Sequence, residues 1–286
     1  MEAGATGATG APGASAPRTA RTFARIAREA PFHDEGYGFD VFGLHPPSLA
    51  RAVRASRFFY ERYFRVDSAG AEHIPAAGPV ILVANHGGVL PVDGAMLCLD
   101  VLRQTEPPRI PRAVADHFVP RLPLVSTLVA RMGVVAGTRA NVRHLLGRGE
   151  LIVIFPEGVT GPGKPFRERY QIQDWRVGFA ELAIRYGAAI VPVAIIGAEE
   201  SWPMLHKVTA LRAFGTPYLP ILASPVPLPV RFHLRYGAPI RLAAEPAAAD
   251  DPRAVAAAAA EARAALEQLI AQARAARERG LGGLFR

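Results

Sequence analysis

A histidine and an aspartate separated by six residues in a glycine-rich loop, "NHGGVLPVD" (85–93), are the first residues in this chain whose types and spacing suggest chemistry. A histidine works as a general base when an acceptor ties one ring nitrogen and leaves the other free to take a proton. Asp93, at the expected N-cap of the following helix, can loop back to His86 in that way, with Gly87, Gly88 and Pro91 shaping the turn between them. A histidine beside an aspartate in such a loop is otherwise a structural pair. His117, in "VADHFVPRLP", has no comparable context and reads as a core or loop residue.

A second stretch, "LIVIFPEGVTGPGKPFRE" (151–168), ends an apolar run in Phe155-Pro156-Glu157-Gly158. From Gly158 to Lys164 it has the G-x-x-x-x-G-K spacing of a phosphate-binding loop. Such a loop needs a Ser or Thr next, to hold magnesium, and opens directly into a helix. Pro165 stands there instead, which argues against a nucleotide site. Glu157 reads either as a substrate contact or as a buried carboxylate holding its loop by hydrogen bonds.

These residues need elements to position them. "GPVILVANHGG" is a short apolar run that predicts a buried strand ending at Asn85-His86, and similar runs recur at 133–135, 151–155, 189–196 and 230–237. Helix-like stretches lie between them, near 93–103, 122–132, 139–147 and 174–186. Strands alternating with helices predict an α/β fold with a mostly parallel central sheet flanked by helices. His86 then lies at the C-terminal end of a strand, where sites of such sheets gather.

Two arginine-rich amphipathic stretches, 21–30 and 48–65, precede the sheet; in the second, Leu49, Val53, Ser56, Tyr60, Tyr63 and Phe64 fall near one face. At the other end Asp251 as N-cap, Pro252 at N1 and Gly280 past the last turn predict a long terminal helix. The expected division is a disordered tail over 1–20, an amphipathic helical segment over 21–70, an α/β domain over 71–247 and a C-terminal helix over 248–286.

The chain has 286 residues, half of them apolar, so a large core is available. A single cysteine, Cys98, excludes an intramolecular disulfide and reads as an inert core residue. No apolar window reaches the ~18 residues of a membrane span. The net charge of +8 comes almost wholly from arginine, since Lys164 and Lys207 are the only lysines. That balance suits nucleic acid, an anionic membrane surface or acidic metabolites; no zinc-finger spacing or RNA-binding aromatic motif points to the first, and the single cysteine gives no metal-ligand pair.

Four blocks in order, "NHGGVLPVD" (85–93), "GVVAGTR" (133–139), "FPEG" (155–158) and "IVPVAIIGAEE" (190–200), give the chain its family resemblance. It resembles the glycerophospholipid acyltransferase superfamily, most of all the subgroup that includes diacylglycerol and phytyl ester acyltransferases, where six residues rather than four separate the His and the Asp. The resemblance implies a glycerol-3-phosphate acyltransferase-like fold and transfer of a fatty acyl group from a coenzyme A or acyl carrier protein thioester to a lipid hydroxyl. It implies no permanently bound cofactor and no metal. His86 and Asp93 become the catalytic pair, Gly87 and Gly88 (or Gly158) supply backbone donors for the oxyanion, and Arg139, Phe155, Pro156, Glu157, Gly158 and Lys164 line the acceptor site.

Where phosphate-handling members continue Phe-Pro-Glu-Gly with Thr-Arg, this chain has Val159-Thr160, which raises a neutral mono- or diacylglycerol as acceptor. Lys164 and Arg167 read as stand-ins for that arginine or as solvated surface. A lipid substrate also implies a peripheral protein at the cytoplasmic side of a membrane. The stretches at 21–30 and 48–65 and the proline-rich "LPILASPVPLPV" (219–230) are candidates for its interfacial face. Three other functions fit parts of the pattern: a catalytically silent lipid-binding protein of the same fold, a nucleotide-dependent enzyme, and an esterase, the last weakened by the missing G-x-S-x-G elbow.

Overall fold

Val80, Leu82 and Ala84 pack on one face of the central strand β2 (Val80–Ala84), and Ile81 and Val83 on the other, as the two-residue period of a strand requires. Both faces therefore carry a core. The computed structural model describes residues 28–88, 91–116, 119, 123–208 and 219–282. The expected tail, most of the 21–30 helix and His117 lie outside the described residues.

β2 sits inside a seven-stranded sheet. In chain order its strands are β1 (Asp67–Ala69), β2, β3 (Pro111–Ala115), β4 (Val135–Ala136), β5 (Leu151–Ile154), β6 (Ala189–Ile196) and β9 (His233–Tyr236), arranged β1-β9-β6-β2-β5-β3-β4. Every neighbouring pair is parallel except β6 with β9. A separate antiparallel ribbon joins β7 (Met204–Val208) to β8 (Leu219–Leu222).

One face of the sheet is covered by α1 (Pro46–Phe58) and α2 (Val92–Gln104), through Leu49, Val53, Leu97 and Leu102. α3 (Val125–Arg131) precedes β4. The other face packs against α4 (Arg139–Gly147), α5 (Gly178–Tyr186) and the long α7 (Pro252–Gly282), through Leu145, Phe179 and Ala262. A single turn, α6 (Ala198–Ser201), follows β6. No described helix is long and apolar enough to cross a membrane.

The first amphipathic helix continues past Phe58 as a π-turn, Phe59–Tyr63, in which Phe64 N donates to Phe59 O at 2.8 Å. Tyr60 and Phe64 point inward, as residues four apart do on one helix face, and Phe58 and Phe59 stay exposed. Tyr60 and Tyr236 then donate to Asp100 on α2, as does Ser68 of β1 at 2.7 Å. That buried carboxylate pins α2, seven residues after Asp93, to the edge strand β1 and its neighbour β9.

Several boundaries differ from the sequence reading. β1 belongs to the sheet, so the α/β unit begins before residue 71. β3 escapes detection because it opens with a proline and carries Arg112, which is fully buried yet bonded to Asp40 and Glu150 at 2.6 and 2.9 Å. β4 lies at 135–136 rather than 133–135, and α5 begins at Gly178, residues 171–177 forming no regular element. Asp251 does accept from Arg253 N at 2.9 Å, but α7 runs through Gly280 to Gly282. Burial among apolar neighbours pushes the Cys98 thiol up to about 12, far from reactivity.

Candidate active site

The strand β2 ends where its neighbour lends it one more rung. Asn85 Nδ2 donates to Ile195 O at 2.9 Å, and Ile195 N donates to Asn85 Oδ1 at 2.8 Å, so a side-chain amide replaces a backbone partner on β6. The backbone is thereby released, and His86 leaves the sheet at the C-terminal edge of β2, beside the ends of β5 and β6. Its ring stacks on Phe155 at the end of β5, with centroids 4.3 Å apart.

His86 Nδ1 lies 2.7 Å from Asp93 Oδ2. Asp93 is completely buried, and its carboxylate also accepts Gly87 N at 2.9 Å and Gly94 N at 2.7 Å. It is the second residue of α2, with Pro91 at the N-cap, rather than the N-cap itself. Two amides and one imidazole thus converge on one carboxylate, an arrangement that fixes the ring and favours the proton on Nδ1. Nε2 has no partner among the described residues, and the side chain keeps 15% of its surface exposed. That nitrogen is the one left to accept a proton.

Beneath the loop lies a buried bracket of charge. Glu157 accepts His86 N at 3.1 Å and Gln173 N at 2.9 Å, and takes Lys164 Nζ at 3.1 Å. Lys164, almost fully buried, also donates to Gln171 O at 3.0 Å and forms an ion pair with Glu199 at 3.1 Å. Glu199 in turn accepts Tyr170 N at 2.6 Å. One cation thus faces two buried carboxylates. Burial raises the Glu199 pKa from the usual 4.5 to about 7, with Glu157 adding to the rise and Lys164 opposing it.

The glycines of the loops fit this bracket closely. A Cβ on Gly87 would run into Glu199 Cγ, and one on Gly161 would come within 3.0 Å of both His86 Cβ and Glu157 Cβ. Gly87→Ala is therefore expected to displace the catalytic loop and to lower turnover about 10²-fold, because misplacing reacting groups by about 1 Å costs that much. Steady-state rates of the folded variant check this; wild-type turnover would show that the loop tolerates the shift.

The other site residues from the sequence reading are placed as follows. Gly87 N is engaged by Asp93 and Gly158 N by Phe155 O at 2.9 Å, whereas Gly88 N has no acceptor among the described residues. Pro156 O accepts Arg176 N at 3.1 Å, which ties the Phe-Pro-Glu-Gly turn to the segment before α5. Arg139 is exposed in the first turn of α4, behind the Thr138 cap, and Arg167 is exposed and paired with Glu168.

Sequence reasoning missed Asn85, Glu199 and Arg176. Asn85 carried a signal, an amide at a strand end. Glu199 sat unremarked in a quoted motif. The Arg176 guanidinium lies over Gly158, where a Cβ would come within 3.0 Å of its Cζ, and nothing in the local sequence brings 176 to 158.

Residues 65–196 match the family model described as Acyltransferase. The chain is 42% identical over 228 residues to an uncharacterized protein of Mycobacterium tuberculosis, covering 76% of this chain and 64% of that protein. It is 30% identical over 177 residues to the "DGAT1/2-independent enzyme synthesizing storage lipids" of Bos taurus, covering 60% of this chain and 51% of that protein. The fold is similar to the 1-acyl-sn-glycerophosphate (LPA) acyltransferase PlsC of Thermotoga maritima, with a TM-score of 0.52, 17% identity, and 79% and 82% of the two chains covered. The matched family model makes residues 65–196 an acyltransferase domain, and the order of its motifs resembles that of the glycerophospholipid acyltransferase superfamily.

Proposed function

We propose that this protein transfers a fatty acyl group from an acyl-CoA or acyl carrier protein thioester to a glycerolipid hydroxyl, with His86 as general base. The observation that carries this reading is the 2.7 Å contact between His86 Nδ1 and Asp93, with Nε2 unpartnered among the described residues at the C-terminal edge of β2. In the reaction Nε2 takes the hydroxyl proton, and the oxygen attacks the thioester carbonyl. The tetrahedral intermediate then expels the thiolate, which recovers the proton from the imidazolium that Asp93 stabilises. Gly88 N, a backbone donor of the loop with no acceptor among the described residues, suits the oxyanion.

The cations bear on the acceptor. Lys164 is committed to Glu157 and Glu199, so a phosphate would fall to arginines nearer the surface, among them Arg139, Arg167, Arg169 and Arg176. With Val159-Thr160 where a Thr-Arg pair would grip a phosphate, the reading favours a neutral mono- or diacylglycerol. The name of the Bos taurus relative, an enzyme synthesizing storage lipids, supports the same choice. Such a protein works as a peripheral one at the cytoplasmic side of a membrane.

The test is release of free thiol from a long-chain acyl-CoA or acyl carrier protein, with monoacylglycerol, diacylglycerol, lysophosphatidate or no acceptor. Release that depends on a neutral acceptor is the expected result. Preference for lysophosphatidate would overturn the acceptor assignment, and no release with either donor would favour the catalytically silent lipid-binding protein.

A further inference from the structure

The edge of the sheet that carries His86 also carries a cluster of apolar side chains that stand exposed among the described residues. β9 runs antiparallel to β6 and β1 runs parallel to β9, so both begin at the edge where β2 and β6 end. The segments that lead into them, 58–66 and 223–232, must therefore lie along the catalytic edge. α6 and the β7–β8 ribbon follow directly from β6 at the same edge.

Contacts join these three pieces into one surface. The Tyr63 ring packs against Phe58 and Phe59, and its hydroxyl donates to Pro227 O. Arg65 donates to Pro229 O at 2.6 Å. Ala223 N donates to Pro203 O at 2.9 Å, which fastens the proline-rich loop to the base of the ribbon. On this scaffold Phe58, Phe59, Leu205, Ile221, Val226 and Leu228 stand exposed, three of them by 58–60%. A small, water-sized pocket lined by Gly88, Lys164, Trp202 and Met204 lies between the His86 loop and the start of the ribbon.

Basic residues accompany the apolar ones. Arg54 stands one turn before Phe58 on α1, Arg62 follows it in the π-turn, and Lys207 lies two residues beyond Leu205; all are exposed. None of the three has an acidic partner among the described residues. Apolar side chains bordered by unpaired cations match an anionic bilayer surface, which offers acyl chains and negative headgroups together.

We infer that Phe58, Phe59, Leu205, Ile221, Val226 and Leu228 form the face that docks on an anionic lipid surface, orienting the catalytic edge toward the bilayer. This rests on the reading that the acceptor is a lipid, and it adds which surface makes the contact. An acceptor then reaches His86 from the bilayer side.

The test is co-sedimentation of the full chain with vesicles of phosphatidylcholine containing phosphatidylglycerol, without acyl donor. The proteins compared are wild type, His86→Ala and the double variant Val226→Asp/Leu228→Asp. Both replaced residues are exposed, so the unfolding midpoint of the double variant should stay within about 2 °C of wild type. The expected result is binding by wild type and by His86→Ala, and an apparent affinity lowered about tenfold or more in the double variant. Equal binding by the double variant, or no binding by wild type, would overturn the inference.

Light scattering without vesicles covers the other occupant. A dimer that the double variant breaks while vesicle binding persists would make this face a contact between two copies, and the inference would again fall. Vesicle binding that depends on the face, in a protein that transfers no acyl group, would leave the docking inference standing and remove the catalytic one.

Discussion

His86→Ala should lower acyl transfer by about 10²–10⁴, the range that a positioned general base contributes, while the protein stays folded. The ring lies at the sheet edge on Phe155, and Asp93 keeps its bonds from Gly87 N and Gly94 N when the imidazole is gone. Asp93→Asn should cost about as much for a different reason. Three donors converge on the Asp93 carboxylate, two on Oδ2 and one on Oδ1. An asparagine has one acceptor oxygen and turns its N–H₂ either toward Gly94 N or toward both His86 Nδ1 and Gly87 N. If that N–H₂ meets His86, the ring must accept at Nδ1 and carry its proton on Nε2, the nitrogen that has to be free. Thiol-release rates measured beside unfolding curves separate these effects. Wild-type turnover from a folded His86→Ala protein would exclude His86 as the base.

Lys164→Met should be the most destabilising single change in the site. It leaves Glu157 and Glu199 buried with no cation between them, and stranding a buried charge in this way costs about 3–5 kcal/mol. The loss should depend on pH. Glu199 has its folded pKa raised to about 7 from 4.5, so its contribution to stability is full below about pH 4.5 and is lost as the pH rises through 7. A shift of that size is on the order of 3 kcal/mol. Removing Lys164 takes away the group that opposes the rise, so the variant should lose more stability at pH 8 than at pH 5. Adding Glu199→Gln should recover part of the loss and flatten the pH dependence. Denaturant unfolding of wild type, Lys164→Met and Lys164→Met/Glu199→Gln at both pH values makes the comparison; equal losses at pH 5 and 8 would show that the bracket carries no such charge conflict.

The bracket also shows what sequence can and cannot deliver. The G-x-x-x-x-G-K spacing at 158–164 looks like a phosphate cradle, yet Lys164 faces inward to two carboxylates. Local spacing cannot reveal this, because Glu199 arrives from the end of β6, 35 positions further along the chain. The His86–Asp93 pair was legible because both partners lie in one loop. The central strands β2, β5 and β6 were legible because they are buried on both faces and read as unbroken apolar runs. β1 and β3 were not: the first is a three-residue edge strand, and the second hides an arginine whose charge is met by acids from two other segments.

The amide of Asn85 that adds a rung between β2 and β6 has a bearing on how the protein acquires its activity. Its partner Ile195 is 110 residues away in sequence, and the carboxylate under Gly87 is farther still. Parallel pairings over such separations close large loops and form late, since the chain entropy of closure precedes any gain from contact. A chain emerging from the ribosome can place His86 and Asp93 in their loop early, but the loop has neither its final rung nor its floor until β6 has been synthesised and docked. Catalytic competence should therefore appear with completion of the sheet, as one of the last events of folding.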